Sequence, residues 1–221
     1  MNLNYFFDKI YCINLDKRVD RWQDITKQFE FNWIDEYERI PGIEGNAYNL
    51  KPNKYPHPIR GFNGVSGGTM AHLNVYLKAY NEKCESFLVV EDDCVFHEHL
   101  NKIWSNCIDQ LPEDWDLLYL GGMYDPTKGS IKPVSDNLLK CSGIMSTHCY
   151  AVRNTILLKL MSTFLKDYPY LTDSADGFLC QIQKECNTYM VSPPLAWQRA
   201  GYSDIQNAWR DYESIFKSII G

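Results

Sequence analysis

Phe87-Leu-Val-Val-Glu-Asp-Asp-Cys-Val-Phe96 is the stretch from which this chain is best read. Four apolar residues, 87–90, run directly into three carboxylates, Glu91, Asp92 and Asp93. A continuous apolar run rich in Val and Phe reads as a strand buried on both faces. The acids then fall at its C-terminal end, the edge where open α/β sheets bind ligands. Adjacent acids repel one another, and nearby in the sequence only Lys83 and Lys102 offset them. A divalent cation with hard oxygen ligands removes that repulsion. Along an extended chain Glu91 and Asp93 share one face and Asp92 takes the other. The spacing therefore suggests a metal pair, Glu91 and Asp93, with Asp92 left for another task. The plainer alternative is a solvated acidic turn after a core strand.

Elements alternate on either side of this strand. Residues 6–15, FFDKIYCINL, read as the first strand, and Trp22, Ile25 and Phe29 make a helical stripe after it, with Asp20 as N-cap. Arg18 and Arg21 in that strand-to-helix turn are placed to meet phosphate or a nucleotide; the alternative is a solvated helix start. Residues 32–40 hold a second strand, closed by Pro41-Gly42, and residues 45–58 form a long loop at the cleft edge. The glycine-rich segment 61–68, GFNGVSGG, reads as the entry to a helix over 69–83 with Met70, Leu73, Leu77 and Tyr80 inward. It carries neither the dinucleotide nor the P-loop fingerprint. A helix over 100–111 follows, then a strand over 116–120. Residues 146–153 alternate as a strand with His148 and Tyr150 on one face. Helices start after Asn154 and Ser174, a strand spans 188–191, and a last helix covers 209–219. The alternation predicts one α/β domain over residues 1–221 with a mostly parallel central sheet.

A chain of 221 residues is long enough for a full core. Its net charge of −6 argues against broad nucleic-acid binding, which needs a basic footprint. Fifteen Tyr and six Trp suit stacking on sugar faces and core packing alike. The eight cysteines include no C-x-x-C pair, so the expectation is reduced, buried thiols in a cytoplasmic or cytoplasm-like compartment. Asp8 and Lys9 interrupt the early apolar patch, so no leader is legible, and no apolar run approaches the ~20 residues of a membrane span.

Five stretches in order resemble glycosyltransferase family 25, which includes lipopolysaccharide and collagen β-galactosyltransferases. They are Ile13-Asn-Leu-Asp-Lys-Arg18 with Arg21; Gly42-Ile-Glu-Gly45; Val89-Val-Glu-Asp-Asp93; Thr147-His-Cys-Tyr-Ala-Val-Arg153; and Asp176 with Pro194-Leu195, Gln198 and Ser203-Asp-Ile205. The family's Ser-His before the acidic strand is Ala71-His72 here. The resemblance implies a GT-A type, Rossmann-like fold, with a donor-binding half over about 1–120 and an acceptor side over about 121–221. It implies a UDP-sugar donor, galactose or glucose, inverting transfer, and Mn²⁺ or Mg²⁺ as the cation. A cation at Glu91 and Asp93 would hold the donor diphosphate. Asn14, Leu15, Arg18, Arg21 and Asp92 would meet the nucleotide. Inversion needs a base on the acceptor hydroxyl, away from the leaving group. Asp176 is the candidate, with Gly177 leaving room for a substrate, and Asp173 is the fallback; a simple N-terminal helix charge is the alternative role for Asp176. His148, Trp197, Gln198, Ser203 and Asp204 are expected on the sugar and acceptor side, where the Trp197 ring either stacks on a sugar or packs in the core. The partners expected are a nucleotide sugar and a glycan or hydroxylated acceptor. Two rival readings use the same acids. One is a nucleotidyltransferase or phosphohydrolase, whose second metal would need Asp116, Asp125 or Asp136. The other is a non-catalytic nucleotide-sugar-binding module.

Overall fold

The computed structural model describes residues 2–45, 48–52, 61–204 and 208–211. A 3-10 turn, Leu3–Tyr5, leads into β1 (Lys9–Asn14) and α1 (Val19–Phe31). Next come β2 (Glu38–Pro41), β3 (Lys51–Pro52), α2 (Phe62–Glu82) and β4 (Ser86–Glu91). They are followed by β5 (Cys94–Phe96), α3 (Leu100–Ile108) and β6 (Leu117–Tyr119). Short strands β7 (Met123–Tyr124), β8 (Ile131–Pro133), β9 (Leu138–Cys141) and β10 (Ile144–Met145) precede β11 (Cys149–Arg153). A second 3-10 turn opens α4 (Leu157–Leu165), and β12 (Tyr170–Leu171) leads to α5 (Ala175–Ile182). Strands β13 (Thr188–Val191), β14 (Ala196–Gln198), β15 (Gly201–Ser203) and β16 (Ala208–Arg210) come last.

Eight strands form the central sheet in the order β2-β1-β4-β11-β6-β13-β9-β8. β1 lies parallel to both β2 and β4, as the alternation of strand and helix predicts. Beyond β4 the expected mostly parallel, Rossmann-like sheet of GT-A type is not what forms. β11 runs antiparallel to both β4 and β6, and β9 antiparallel to both β13 and β8; only β13 and β6 restore a parallel pair. Four of the seven pairings are therefore antiparallel, and the sheet is mixed. A parallel partner needs a crossover, usually a helix, to carry the chain back to its starting edge. Helices α1, α2 and α3 do this for β1, β2, β4 and β6, which run in one sense, whereas no helix lies between β6 and β11, and β11 enters between β4 and β6 in the opposite sense.

Residues 87–90 of β4 are fully buried and feed both faces of the sheet. Phe87 and Val89 join a core with Tyr76, Leu160 and Phe178, under α2, α4 and α5. Leu88 and Val90 join the opposite core with Ile25, Phe29 and Trp104, under α1 and α3. Each such side chain contributes roughly 1.5–3 kcal/mol through burial, which anchors the strand that carries the acids. All eight cysteines are free thiols and seven are buried. Among the described residues no helix is long and apolar enough to cross a membrane.

Two helix starts differ from expectation. α1 begins at Val19 without a side-chain cap, because the Asp20 carboxylate is taken by Arg18 at 2.9 and 3.0 Å. α2 begins at Phe62, so the glycine-rich segment is helix. Its inward face runs through Val65, Thr69, His72, Tyr76 and Ala79, while Leu77 and Tyr80 are exposed. The glycines were expected to lead into the helix, yet those of 62–68 lie within it and one of them serves a close approach. A Cβ on Gly67 would lie 2.1 Å from the Ile43 carbonyl oxygen, and the Ser66 hydroxyl donates to the Gly45 carbonyl at 3.2 Å. Residues 208–210 pair with β15 as a strand where the last helix was expected to start. Residues 212–219 of that expected helix lie outside the described residues, as do 46–47 and 53–58 of the expected loop.

Gly67→Ala tests the packing of α2. Alanine gains about 1 kcal/mol of helix propensity, but the neighbour at 2.1 Å is backbone and cannot swing aside. We expect a net loss on the order of 1–3 kcal/mol by urea denaturation. Gly201→Ala, with nothing within 4 Å of its Cβ, serves as the neutral control.

Candidate active site

β4 ends at Glu91, and Asp92 and Asp93 turn the chain into β5. The strand alternation that would separate the two aspartates is lost in that turn. Both meet one guanidinium nitrogen: Arg21 Nη1 donates to Asp92 Oδ1 at 3.0 Å and to Asp93 Oδ2 at 2.9 Å. Asn14, the last residue of β1, donates to Asp92 Oδ2 at 2.7 Å and is itself oriented by Arg39 Nε, 2.9 Å from its Oδ1. Both oxygens of Asp92 are thus occupied. β14 pairs with β5 and sets Gln198 opposite Cys94, so Gln198 Nε2 reaches Asp93 Oδ2 at 3.0 Å. Asp93 Oδ1 is buried and has no hydrogen-bond partner among the described residues.

Glu91 is held from the other side. His72 Nε2 lies 3.2 Å from Glu91 Oε1, and the Thr147 hydroxyl donates to the same oxygen. His72 Nδ1 is 2.8 Å from the Tyr150 hydroxyl, which is 2.6 Å from that of Tyr76. Burial pushes Asp92 up to about 6, and neighbouring Asp93 adds to this against the opposing pull of Arg21 and Asn14. Burial, then Glu91, also raises Asp93. Burial acts to raise Glu91 too, but the contacts from His72 and Thr147 outweigh it and hold its carboxyl below the usual range.

These groups line a cleft of about 780 Å³, within the usual range for a small-molecule site. On its β1–α1 side stand Leu15 and Arg21. Asn14 is buried beneath and acts through Asp92. Arg18 turns to Asp204, with Nη1 2.6 Å from Oδ2, so a residue expected at the donor and one expected at the acceptor form a single ion pair. Lys17 extends it to Asp204 at 3.6 Å and Glu44 at 3.2 Å. Ser203, Asp204 and Gln198 line the cleft; Trp197 does not, and its ring lies edge-on to His97. His148 is buried behind the wall, with Nε2 3.2 Å from the Ala196 carbonyl, and burial lowers its pKa.

Asp176 lines the cleft at the start of α5, its Oδ1 accepting from the Ser174 hydroxyl and from the Gly177 amide at 3.0 Å. Asp173 does not line it; its carboxylate accepts from the Ser174 amide at 2.9 Å and from Gln181 at 3.1 Å. The space beside Gly177 belongs to Asp173 rather than to a substrate, since a Cβ there would lie 1.8 Å from Asp173 Oδ1. Asp116, Asp125 and Asp136 do not line the cleft; Asp116 serves Thr155 and Asn187, and Asp125 its own turn through Thr127. Among the wall residues, Thr69 was given no role in the sequence reading, and Thr147 and His72 stood there only as motif positions, not as partners of Glu91. His72 was visible only as a motif position, because its partner lies 19 residues away.

Among the described residues no group of three or more His, Cys, Asp or Glu forms a metal-ligand cluster. Two carboxylates do present themselves to a hard cation: Asp93 through its unpartnered Oδ1, and Glu91 beside it. One or two carboxylates completed by ligand phosphates is a common way of holding Mg²⁺-like ions, so the donor set fits.

A family profile described as Glycosyltransferase family 25 (LPS biosynthesis protein) matches residues 7–175, and the chain belongs to that family. The match takes in the acidic turn, His72 and Thr147, and stops one residue before Asp176. Procollagen galactosyltransferase 2 of Homo sapiens is 30% identical over 131 residues, 52% of this chain and 21% of that protein. Its counterpart in Mus musculus is 28% identical over 163 residues, 66% of this chain and 26% of that protein. The chain thus spans about a quarter or less of the length of these relatives. Among solved structures, A197 from STIV aligns with 92% of this chain and 95% of its own at 14% identity, with a TM-score of 0.42, too loose a likeness to carry weight.

Arg21 is the compensating charge, and its removal leaves two nearly buried carboxylates facing each other. We expect Arg21→Met to cost on the order of 3–5 kcal/mol of stability. Adding Asp92→Asn should return part of that loss, giving a coupling above ~1 kcal/mol in a double-mutant cycle. Additive losses would show that the pairing carries no energy.

Proposed function

We propose that this chain transfers a hexose, galactose or glucose, from a UDP-sugar to a hydroxyl of a glycan, glycolipid or hydroxylated protein, with inversion at the transferred carbon. The observation that carries this is the buried, unpartnered Asp93 Oδ1 in the cleft at the end of β4. The procollagen galactosyltransferases among its relatives make galactose and a hydroxylated polypeptide the first pair to try. Asp93 and Glu91 would hold Mn²⁺ or Mg²⁺, which when bound supplies Lewis-acid stabilisation of the departing diphosphate.

The chain's own residues do the rest. Arg21 and Gln198 fix Asp93 Oδ2, which leaves Oδ1 as the oxygen without a protein partner. His72 and Thr147 fix Glu91 and keep it ionised. Leu15 and Lys17 form the wall nearest the nucleotide, and Ser203 and Asp204 close the cleft from the C-terminal hairpin. Asp176 is the base. Its Oδ1 is held by Ser174 and the Gly177 amide, which leaves Oδ2 for the acceptor. The acceptor oxygen attacks the anomeric carbon as its proton passes to Asp176. The bond from that carbon to the diphosphate oxygen breaks, and the electron pair leaves with UDP.

Incubation with UDP-galactose or UDP-glucose and Mn²⁺ should release free UDP. Release of UMP instead would point to a phosphohydrolase. Excess EDTA should stop turnover, and Asp93→Asn should abolish transfer and weaken Mn²⁺-dependent donor binding in a folded protein. Wild-type turnover in EDTA would remove the cation from the reading.

Asp176→Asn should lower transfer by roughly 10²–10⁴-fold while binding of UDP with Mn²⁺ is retained, because the groups that hold UDP lie on other elements. Near wild-type turnover in that variant would end its candidacy as base.

A further inference from the structure

Few buried polar side-chain atoms among the described residues lack a hydrogen-bond partner, and two of these belong to residues lining the cleft: Asp93 Oδ1 and Thr69 Oγ1. Thr69 is only 2% exposed. Most buried hydroxyls in folded proteins are paired, and an unpaired one costs about 1–3 kcal/mol. A threonine in a helix ordinarily bonds back to a carbonyl one turn earlier; Thr69 does not. Valine has nearly the same shape without the hydroxyl.

Position says what the hydroxyl is for. Thr69 and His72 stand three residues apart on one face of α2, so their Cβ atoms are about 5–6 Å apart. His72 holds Glu91, two residues before Asp93. The Thr69 hydroxyl is therefore about one helical turn along α2 from the residue that holds Glu91, on the wall of the same cleft. A sugar attached to the donor diphosphate would lie in this same cleft, whose wall includes Thr69. A pyranose offers hydroxyls that both donate and accept, and a threonine hydroxyl can do either.

We propose that Thr69 is a specificity residue that hydrogen-bonds one hydroxyl of the donor's hexosyl group. This rests on the reading of the cleft as a UDP-hexose site. The hydroxyl stays unpartnered in the free protein so that it can be satisfied by the donor sugar, and a sugar lacking that hydroxyl leaves it unpaired. Discrimination by a buried polar group against a ligand that lacks its partner is stronger than discrimination by apolar fit.

The test compares wild type, Thr69→Val and Thr69→Ser for binding of UDP, UDP-galactose and UDP-glucose with Mn²⁺, without acceptor. If wild type binds neither UDP-sugar, the reading of the cleft itself fails. If it binds one, Thr69→Val should weaken that UDP-sugar by roughly 3- to 10-fold and leave UDP unchanged. Thr69→Ser should restore the affinity. Donors deoxygenated at C2, C3, C4 or C6 then locate the contact: one of them should bind wild type correspondingly weakly and show no further loss with Thr69→Val. The melting temperature of the free Thr69→Val protein should equal or exceed that of wild type, since the change removes an unpaired buried hydroxyl. Equal loss of UDP and UDP-sugar, independence of every deoxygenated donor from Thr69→Val, or a large drop in melting temperature would each overturn the assignment.

Discussion

Two adjacent aspartates at the end of a buried strand carry like charges in a place where water cannot screen them, and one guanidinium compensates both. Arg21 Nη1 lies within hydrogen-bond reach of Asp92 and Asp93 together. Its Nη2 donates to the Tyr202 carbonyl at 2.6 Å. One side chain therefore joins α1, the turn after β4 and the β15–β16 hairpin. The three side chains are about a tenth exposed, so their charges are poorly hydrated and cannot be separated cheaply. The order of the cleft depends on this contact, because Asn14 and Gln198 bond to the oxygens that Arg21 does not saturate alone.

The three acids of the turn meet different surroundings and so take different parts. Asp92 is enclosed by Arg21 and Asn14 and serves the architecture. Glu91 is tied through His72 to Tyr150 and Tyr76, a polar chain that crosses the core beneath α2. Asp93 alone keeps a buried oxygen without a partner. An unpaired acceptor of this kind costs stability in the free protein. It lies in a cleft whose wall carries a second orphaned oxygen, on Thr69.

Short-range physics was legible in the amino-acid sequence. Residues 87–90 read as doubly buried because a strand covered on both faces shows an unbroken apolar run, and both cores do meet on them. The parallel pairing of β1 with β2 and β4 followed from the intervening helices. The acidic turn announced a site because three carboxylates against an apolar run are costly unless something answers them.

The tertiary structure alone decided what answers them. Arg21 lies 71 residues from Asp92 and Gln198 lies 105 from Asp93, so no local window holds the compensation. Strand direction was equally hidden: an alternating pattern such as that of β11 reads the same in either sense, and the connection sets which one forms. Glycines in 61–68 read as the entry to a helix, whereas 62–68 lie within it and Gly67 lets it pack closely on the backbone of Ile43. Composition and period describe what each residue prefers among its sequence neighbours. Charge pairing, strand polarity and close backbone approach are properties of residues that only folding makes neighbours.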